Sequence, residues 1–70
     1  MDMRFRAEAY QIDTHDLIAD LGHWESLRDA KAACMTHALE LLTWEQLFAG
    51  LWKASSNAYW YKIVATRDLA

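Results

Sequence analysis

The sequence is poor in the residues that usually punctuate or staple a small protein. Proline is absent, and Gly22 and Gly50 are the only glycines, so turn signals are sparse. A single cysteine, Cys34, excludes an internal disulfide, and no CxxC or HxxxH spacing suggests a zinc clip. Apolar runs last only a few residues, so no segment is expected to span a membrane. The opening Met1-Asp2-Met3-Arg4-Phe5-Arg6 lacks the continuous apolar core of a secretory signal. A bacterial cytoplasmic location with a reduced thiol is the expectation. Basic residues are outnumbered, seven against ten acidic, for a formal charge of −3. That balance argues against nonspecific DNA or RNA binding, where phosphate neutralisation supplies most of the affinity, and leaves room only for a local basic patch.

Hydrophobic residues make up 54% of the chain, including four tryptophans and three tyrosines. This exceeds the usual share of about 45–50% in soluble domains. The 70 residues are expected to form one domain spanning 1–70. A chain of this size buries only about 60% of the surface its unfolded form exposes. With no disulfide or metal to help, a second protein surface is the remaining supplement, and some aromatic surface should stay outside.

Met3 to Ile12 alternates, with Met3, Phe5, Ala7 and Ala9 on one side and Arg4, Arg6, Glu8 and Tyr10 on the other. Period two means a strand with one buried face. Asp13-Thr14-His15-Asp16 supplies turn-forming side chains. Leu17 to Leu21 reads as the returning strand of a hairpin; the rival reading is a short helix stopped at Gly22. Ser26 to Leu41 reads as a helix, with Ser26 as N-cap and Asp29 beside the positive helix end. Leu27, Ala30, Cys34, Ala38 and Leu41 form its apolar stripe.

Three β-type runs follow, over Leu42–Phe48, Leu51–Ala54 and Tyr59–Thr66, separated by turns at Ala49-Gly50 and Ser55-Ser56-Asn57. The predicted fold is therefore α+β, a small antiparallel sheet of about five strands in the order β-β-α-β-β-β with one helix on one face. A helix of about 15 residues is roughly 22 Å long and covers about half of one face of such a sheet. Trp52, Trp60 and Val64 are expected opposite Leu51, Tyr59, Tyr61 and Ile63, which puts aromatics on both faces. The uncovered ones would form a contact surface for a host protein or a second copy of the chain. The alternative is that twist and the tail Thr66–Ala70 bury most of these rings.

Candidate chemistry is thin. Cys34 and His37, three apart on the helix, could pair as nucleophile and base or as half a metal site, but Cys34 lies on the apolar stripe, where a free cysteine packs as a small hydrophobe. His15, His23 and Asp20 could gather near one end of the hairpin, without diagnostic metal spacing. Arg4, Arg6 and Tyr10 share a strand side and could hold a nucleic-acid strand, although Glu8 interrupts them. Asp13, Asp16, Asp20, Glu25 and Asp29 cluster around the hairpin turn and helix start. They read either as ordinary loop acids or as a negative surface that competes with nucleic acid for a basic groove on another protein. Triad, paired-carboxylate and phosphate-loop patterns are absent, and little room is expected for a pocket. No enzymatic activity, cofactor, metal or small-molecule substrate is expected.

The stretch Leu21-Gly22-His23-Trp24-Glu25-Ser26-Leu27-Arg28-Asp29-Ala30-Lys31-Ala32-Ala33, ending near His37-Ala38, resembles small phage and prophage proteins. In those, a strand ending in leucine-glycine and an aromatic leads into Ser/Thr-Leu-x-x-Ala-Lys-Ala-Ala and a short helix. Leu42-Thr43-Trp44-Glu45, Gly50-Leu51-Trp52 and Tyr61-Lys62-Ile63-Val64 are similar to such proteins too, so the likeness covers about half the chain. It carries over no catalytic or binding residue. What it implies is a phage origin and a role in phage–host conflict, as in stoichiometric inhibitors of the anti-CRISPR kind. The leading expectation is thus a non-catalytic protein-binding inhibitor. Its anchors would be Trp44, Trp52, Trp60, Tyr59 and Tyr61, and Asp13, Asp16 and Asp20 would steer the encounter. The alternatives are a nucleic-acid-binding accessory domain and a dimeric structural component of a phage particle.

Overall fold

A computed structural model describes residues 3–67 of the chain, and the rest of the tail considered above, 68–70, lies outside the described residues. Five strands and one helix follow one another as β1 (Met3–Gln11), β2 (Leu17–Trp24), α1 (Leu27–Ala38), β3 (Glu45–Phe48), β4 (Leu51–Ser55) and β5 (Tyr59–Arg67). The strands form one antiparallel sheet in the spatial order β2-β1-β5-β4-β3, which is the small α+β fold the sequence predicts. Among the described residues no helix is long and apolar enough to cross a membrane.

Period two in β1 fixes the two faces. Ala7 lies opposite Ile63 and Ala9 opposite Tyr61, and all four are buried under the helix. Ala54 of β4 lies beside Tyr61 and joins the same cluster. From α1 the cluster takes Ala30 and Cys34, with Leu27, Met35 and Ala38 packed against it. Half of the fully buried cluster is alanine, which lets the helix axis come close to the strands; the two large side chains, Tyr61 and Ile63, both come from β5. Burying a large apolar side chain stabilises by about 1.5–3 kcal/mol, so β5 is the main apolar contributor.

Local chemistry explains the element ends. Ser26 caps α1, its hydroxyl accepting from the Asp29 amide at 3.1 Å. The helix stops at Leu39, not at Leu41, because Leu39 turns into the left-handed region at φ 60° while its amide donates to the Met35 carbonyl at 2.9 Å. Leu41 therefore leaves the apolar stripe and is exposed, and Leu42 turns inward into the core instead. That inward turn is why residues 42–44 do not extend the strand that begins at Glu45.

At the start of the chain, residues 17–21 are strand rather than helix, and β2 runs on through Gly22 to Trp24. The pairing of β1 with β2 shifts twice, which leaves Leu21 and Ile18 as extra residues and lets Gly22 take φ 93°.

The expected grouping of Trp52 with Trp60 and Val64 is corrected. Trp52 lies opposite Ile63 and so shares the helix face with Tyr59 and Tyr61, while Leu51 lies opposite Val64 on the face that carries Trp60. The register is set by the turn after β4. Ser56 accepts from the Tyr59 amide at 3.1 Å and donates its own amide to the Tyr59 carbonyl at 2.7 Å, which places Ser55 opposite Trp60. A one-residue slip there would exchange the two faces of β4.

Because the helix sits on methyl groups, Ala7→Leu should lower stability by about 1–3 kcal/mol through overpacking. A urea titration would show this as a lower midpoint with an unchanged slope. An unchanged midpoint would mean that α1 does not approach β1 closely.

Candidate functional site

The face opposite α1 is built in cross-strand rows. One row runs Leu17, Tyr10, Trp60, Ser55 across β2, β1, β5 and β4. The next runs Asp20, Glu8, Lys62, Lys53, Glu45 across all five strands, and the third runs His23, Arg6, Val64, Leu51, Phe48. Among the described residues no element covers this face, yet Glu8 is only 7% exposed. Its carboxylate accepts from the Tyr10 hydroxyl at 2.9 Å and faces the Arg6 guanidinium at 3.3 Å and the Lys62 ammonium at 3.6 Å. Arg6 also reaches Asp20 at 3.7 Å. Long side chains folded over the sheet thus replace a second layer.

Lys62 and Lys53 are direct neighbours on β5 and β4, an arrangement that repels unless the ammonium groups part. They part along the aromatic row. Tyr10 and Trp60 stack with centroids 4.3 Å apart and planes at 11°. Lys62 lies 5.2 Å from the Tyr10 ring and Lys53 lies 5.1 Å from the Trp60 ring. Each ring thus has the other as one neighbour and a lysine as a second. A base could stack here only after displacing a lysine.

The proposed anchors do not come together. Trp60 alone stands in this open-face stack. Trp52 is on the helix side, edge-on to Phe5 at 6.0 Å, and Tyr61 is fully buried. Tyr59 shares the Tyr61 face, and both rings stand edge-on to His37, at 5.2 and 5.7 Å. Trp44 belongs to the segment between α1 and β3, half-buried against the core, with Lys31 at 6.0 Å from its ring. Asp13 and Asp16 are exposed in the β1–β2 turn, and Asp20 is tied to Arg6 and to the Gly22 amide, which donates at 3.0 Å. The acids therefore do not form one patch with the aromatics.

Cys34 and His37 also part company. The His37 Nδ1 lies 2.8 Å from the Tyr61 hydroxyl, so the imidazole is directed to the sheet and not to the thiol. Burial pushes the Cys34 thiol up to about 12, the reverse of what a nucleophile needs. Burial likewise raises the Tyr61 phenol above its ordinary 10.0. His15 lies 6.0 Å from Trp60, whereas His23 is two rows away opposite Arg6. Among the described residues no group of three His, Cys, Asp or Glu side chains is placed to hold a metal ion.

Two open depressions are larger than the sequence led us to expect. One of about 570 Å³ lies between α1 and β2, lined chiefly by Leu21, Trp24, Ala32, Ala33, Thr36 and His37. The other, of about 370 Å³, lies along β3 and β4 among Thr43, Glu45, Leu47, Lys53 and Ser55.

Sequence reasoning missed the exposed apolar residues. Leu39 and Leu41 are each 89% exposed, Phe48 67% and Leu47 43%. The helix pattern placed Leu41 inside, and only the Ala49-Gly50 turn hinted that Phe48 sits at a rim. No family profile matches the chain, and comparisons with curated proteins and with solved structures find no match either.

Two outcomes follow from this geometry. Glu8→Ala leaves Arg6 and Lys62 without their shared partner and should cost about 1–3 kcal/mol, less than a fully buried pair because both cations reach water. Glu8→Gln, which removes the charge but keeps an acceptor for Tyr10, should cost less than Glu8→Ala; a Glu8→Gln urea midpoint equal to that of the parent chain would contradict the charge role.

For Cys34, the folded pKa stands above the unfolded 9.0. Its contribution is therefore complete below about pH 9 and is lost as pH rises toward 12, by about 1.4 kcal/mol per unit. Tyr61 acts in the same direction above 10.0. Stability measured through alkaline pH should fall less steeply in Cys34→Ala than in the parent chain. Equal slopes would mean that the thiol titrates alike in both states.

Proposed function

We propose that this chain is a non-catalytic protein-binding module. More specifically, we read it as a phage-encoded inhibitor of a host defence or regulatory protein, of the anti-CRISPR kind, acting by surface occlusion in the bacterial cytoplasm. The observation that carries the reading is the exposed apolar surface between the end of α1 and β4. Leu39 holds the left-handed position that favours glycine, at a cost of order 1 kcal/mol, and its side chain points away from the core with 89% exposure. Leu41 and Phe48 add exposed apolar side chains on the same stretch of chain, between α1 and β4. Large exposed apolar residues of this kind mark contact sites, and a small set of them carries most of the energy of an interface. The phage origin rests on the Leu21–Ala33 resemblance.

A second reading, a nucleic-acid-binding accessory domain, draws on Arg4, Arg6, Lys53 and Lys62, which share the open face with Tyr10 and Trp60. It is the weaker one. Glu8 and Asp20 engage Arg6, and lysines occupy positions over the stacked rings.

A tagged pull-down from a bacterial host lysate, with and without nuclease and read by mass spectrometry, separates the two. The protein-binding reading expects one dominant protein that survives nuclease. It also expects about tenfold weaker capture by a Leu39→Ser, Leu41→Ser, Phe48→Ser variant whose circular dichroism is unchanged. Recovery that disappears with nuclease would transfer the assignment to the nucleic-acid reading.

A further inference from the structure

Resting on the protein-binding reading, we propose that the outer edge of β3 accepts an extended segment of the partner as an additional strand. That segment would carry a basic residue facing Glu45 and apolar residues facing Leu47 and Phe48. The sheet has two edges, β2 and β3, and they are finished differently. On β2 the groups released by the register shift are already taken: the Gly22 amide donates to Asp20 at 3.0 Å, and the Trp24 indole donates to the Leu21 carbonyl at 2.9 Å. These bonds, together with the shifts themselves, blunt that edge against further pairing.

The β3 edge has one register shift of its own, at Leu47, but lacks such side-chain and turn bonds. Among the described residues its backbone pairs only with β4, no side chain bonds to it, and all four of its residues are exposed. An unpaired row of amides and carbonyls gives an added strand its affinity, and alternate side chains give specificity.

The side chains around this edge specify the occupant. Glu45 lies directly across from Lys53, yet Lys53 directs its ammonium to the Trp60 ring, 5.1 Å away, and Glu45 makes no ion pair among the described residues. Its carboxylate is therefore available to a cation on an incoming strand. The pairing of β3 with β4 shifts at Leu47, which makes Leu47 the extra residue beside Phe48. The depression of about 370 Å³ among Thr43, Glu45, Leu47, Lys53 and Ser55 gives one side chain of the added strand a place to enter.

A second copy fits less well, because its own β3 offers Glu45-Gln46-Leu47-Phe48, with no basic residue to face Glu45. The strand is also short, about 13 Å, which suits a peptide segment better than the roughly 1,200 Å² a stable interface needs.

The test is selection of short random peptides on the full chain, followed by residue-resolved amide hydrogen exchange. Selected peptides should alternate apolar and polar residues with Lys or Arg at one fixed position, and they should slow exchange at residues 45–48. Glu45→Lys, at an exposed position, should weaken those peptides about two- to five-fold and favour acidic ones. Peptides that protect another surface, or no selected peptides at all, would overturn the edge proposal. So would protection of β3 that rises with protein concentration alone, which would assign the edge to a second copy. A lysate partner that survives nuclease but leaves β3 unprotected would remove the edge proposal and leave the wider protein-binding reading standing.

Discussion

Ala30 and Cys34 of α1 share one buried cluster with Ala7 and Ala9 of β1, so helix and sheet approach each other through methyl groups and a thiol. The rest of the arrangement depends on that close approach. It makes α1 pack on β1, β2 and β5 and leaves β3 and β4 beyond its reach. The buried thiol is held neutral there, and the large side chains that complete the core, Tyr61 and Ile63, must come from β5, the strand beside β1. The molecule extends 36 Å in its longest dimension and about 22 Å in the others, as expected for a sheet longer than the helix that covers it.

The opposite face solves a different problem. A small chain cannot supply a second layer there, and bare apolar side chains would invite aggregation. Instead, the Glu8 carboxylate draws Arg6, Lys62 and Tyr10 over the strands, and the two adjacent lysines separate toward two stacked rings. Each contact is modest at a wet surface. Jointly they bury a carboxylate, and the most exposed apolar side chains, Leu39, Leu41 and Phe48, lie between the end of α1 and β4, while Leu17 and Ile18 of β2 are exposed to a lesser degree. The proposed interface thus includes the rim of the open face at Phe48, which these side chains do not cover.

The parts of the fold legible in the sequence were those governed by local chemistry. Alternation in Met3–Ile12, the Ser26 cap and the Ala49-Gly50 and Ser55-Ser56-Asn57 turns each act over a few residues, and each falls within one residue of where the sequence places it, β1 ending at Gln11 and β4 including Ser55. What the sequence did not reveal depends on partners distant in the chain. The face of Trp52 is set by the register that Ser56 imposes on β5, and the left-handed turn at Leu39 ends the helix before its stripe does. The burial of Leu42 shortens β3. Of the candidate site, the alternation placed Trp60 opposite Tyr59 and Tyr61, but it could not show which of these faces the helix covers, nor that the Trp60 ring is already flanked. The role of Glu8 was invisible because an isolated acid between Arg6 and Tyr10 on one strand side reads as a solvated residue.

Residue-resolved amide hydrogen exchange of the chain alone tests this account most directly, because opening free energies report how each element is held. Close docking of α1 on β1 predicts that amides of α1, β1 and β5 exchange only through global unfolding. Those of β3, which has one strand neighbour and no helix above it, should exchange through local opening. Protection in β3 equal to that in β5 would contradict the account, since it would require a cover over the edge that the described residues do not supply.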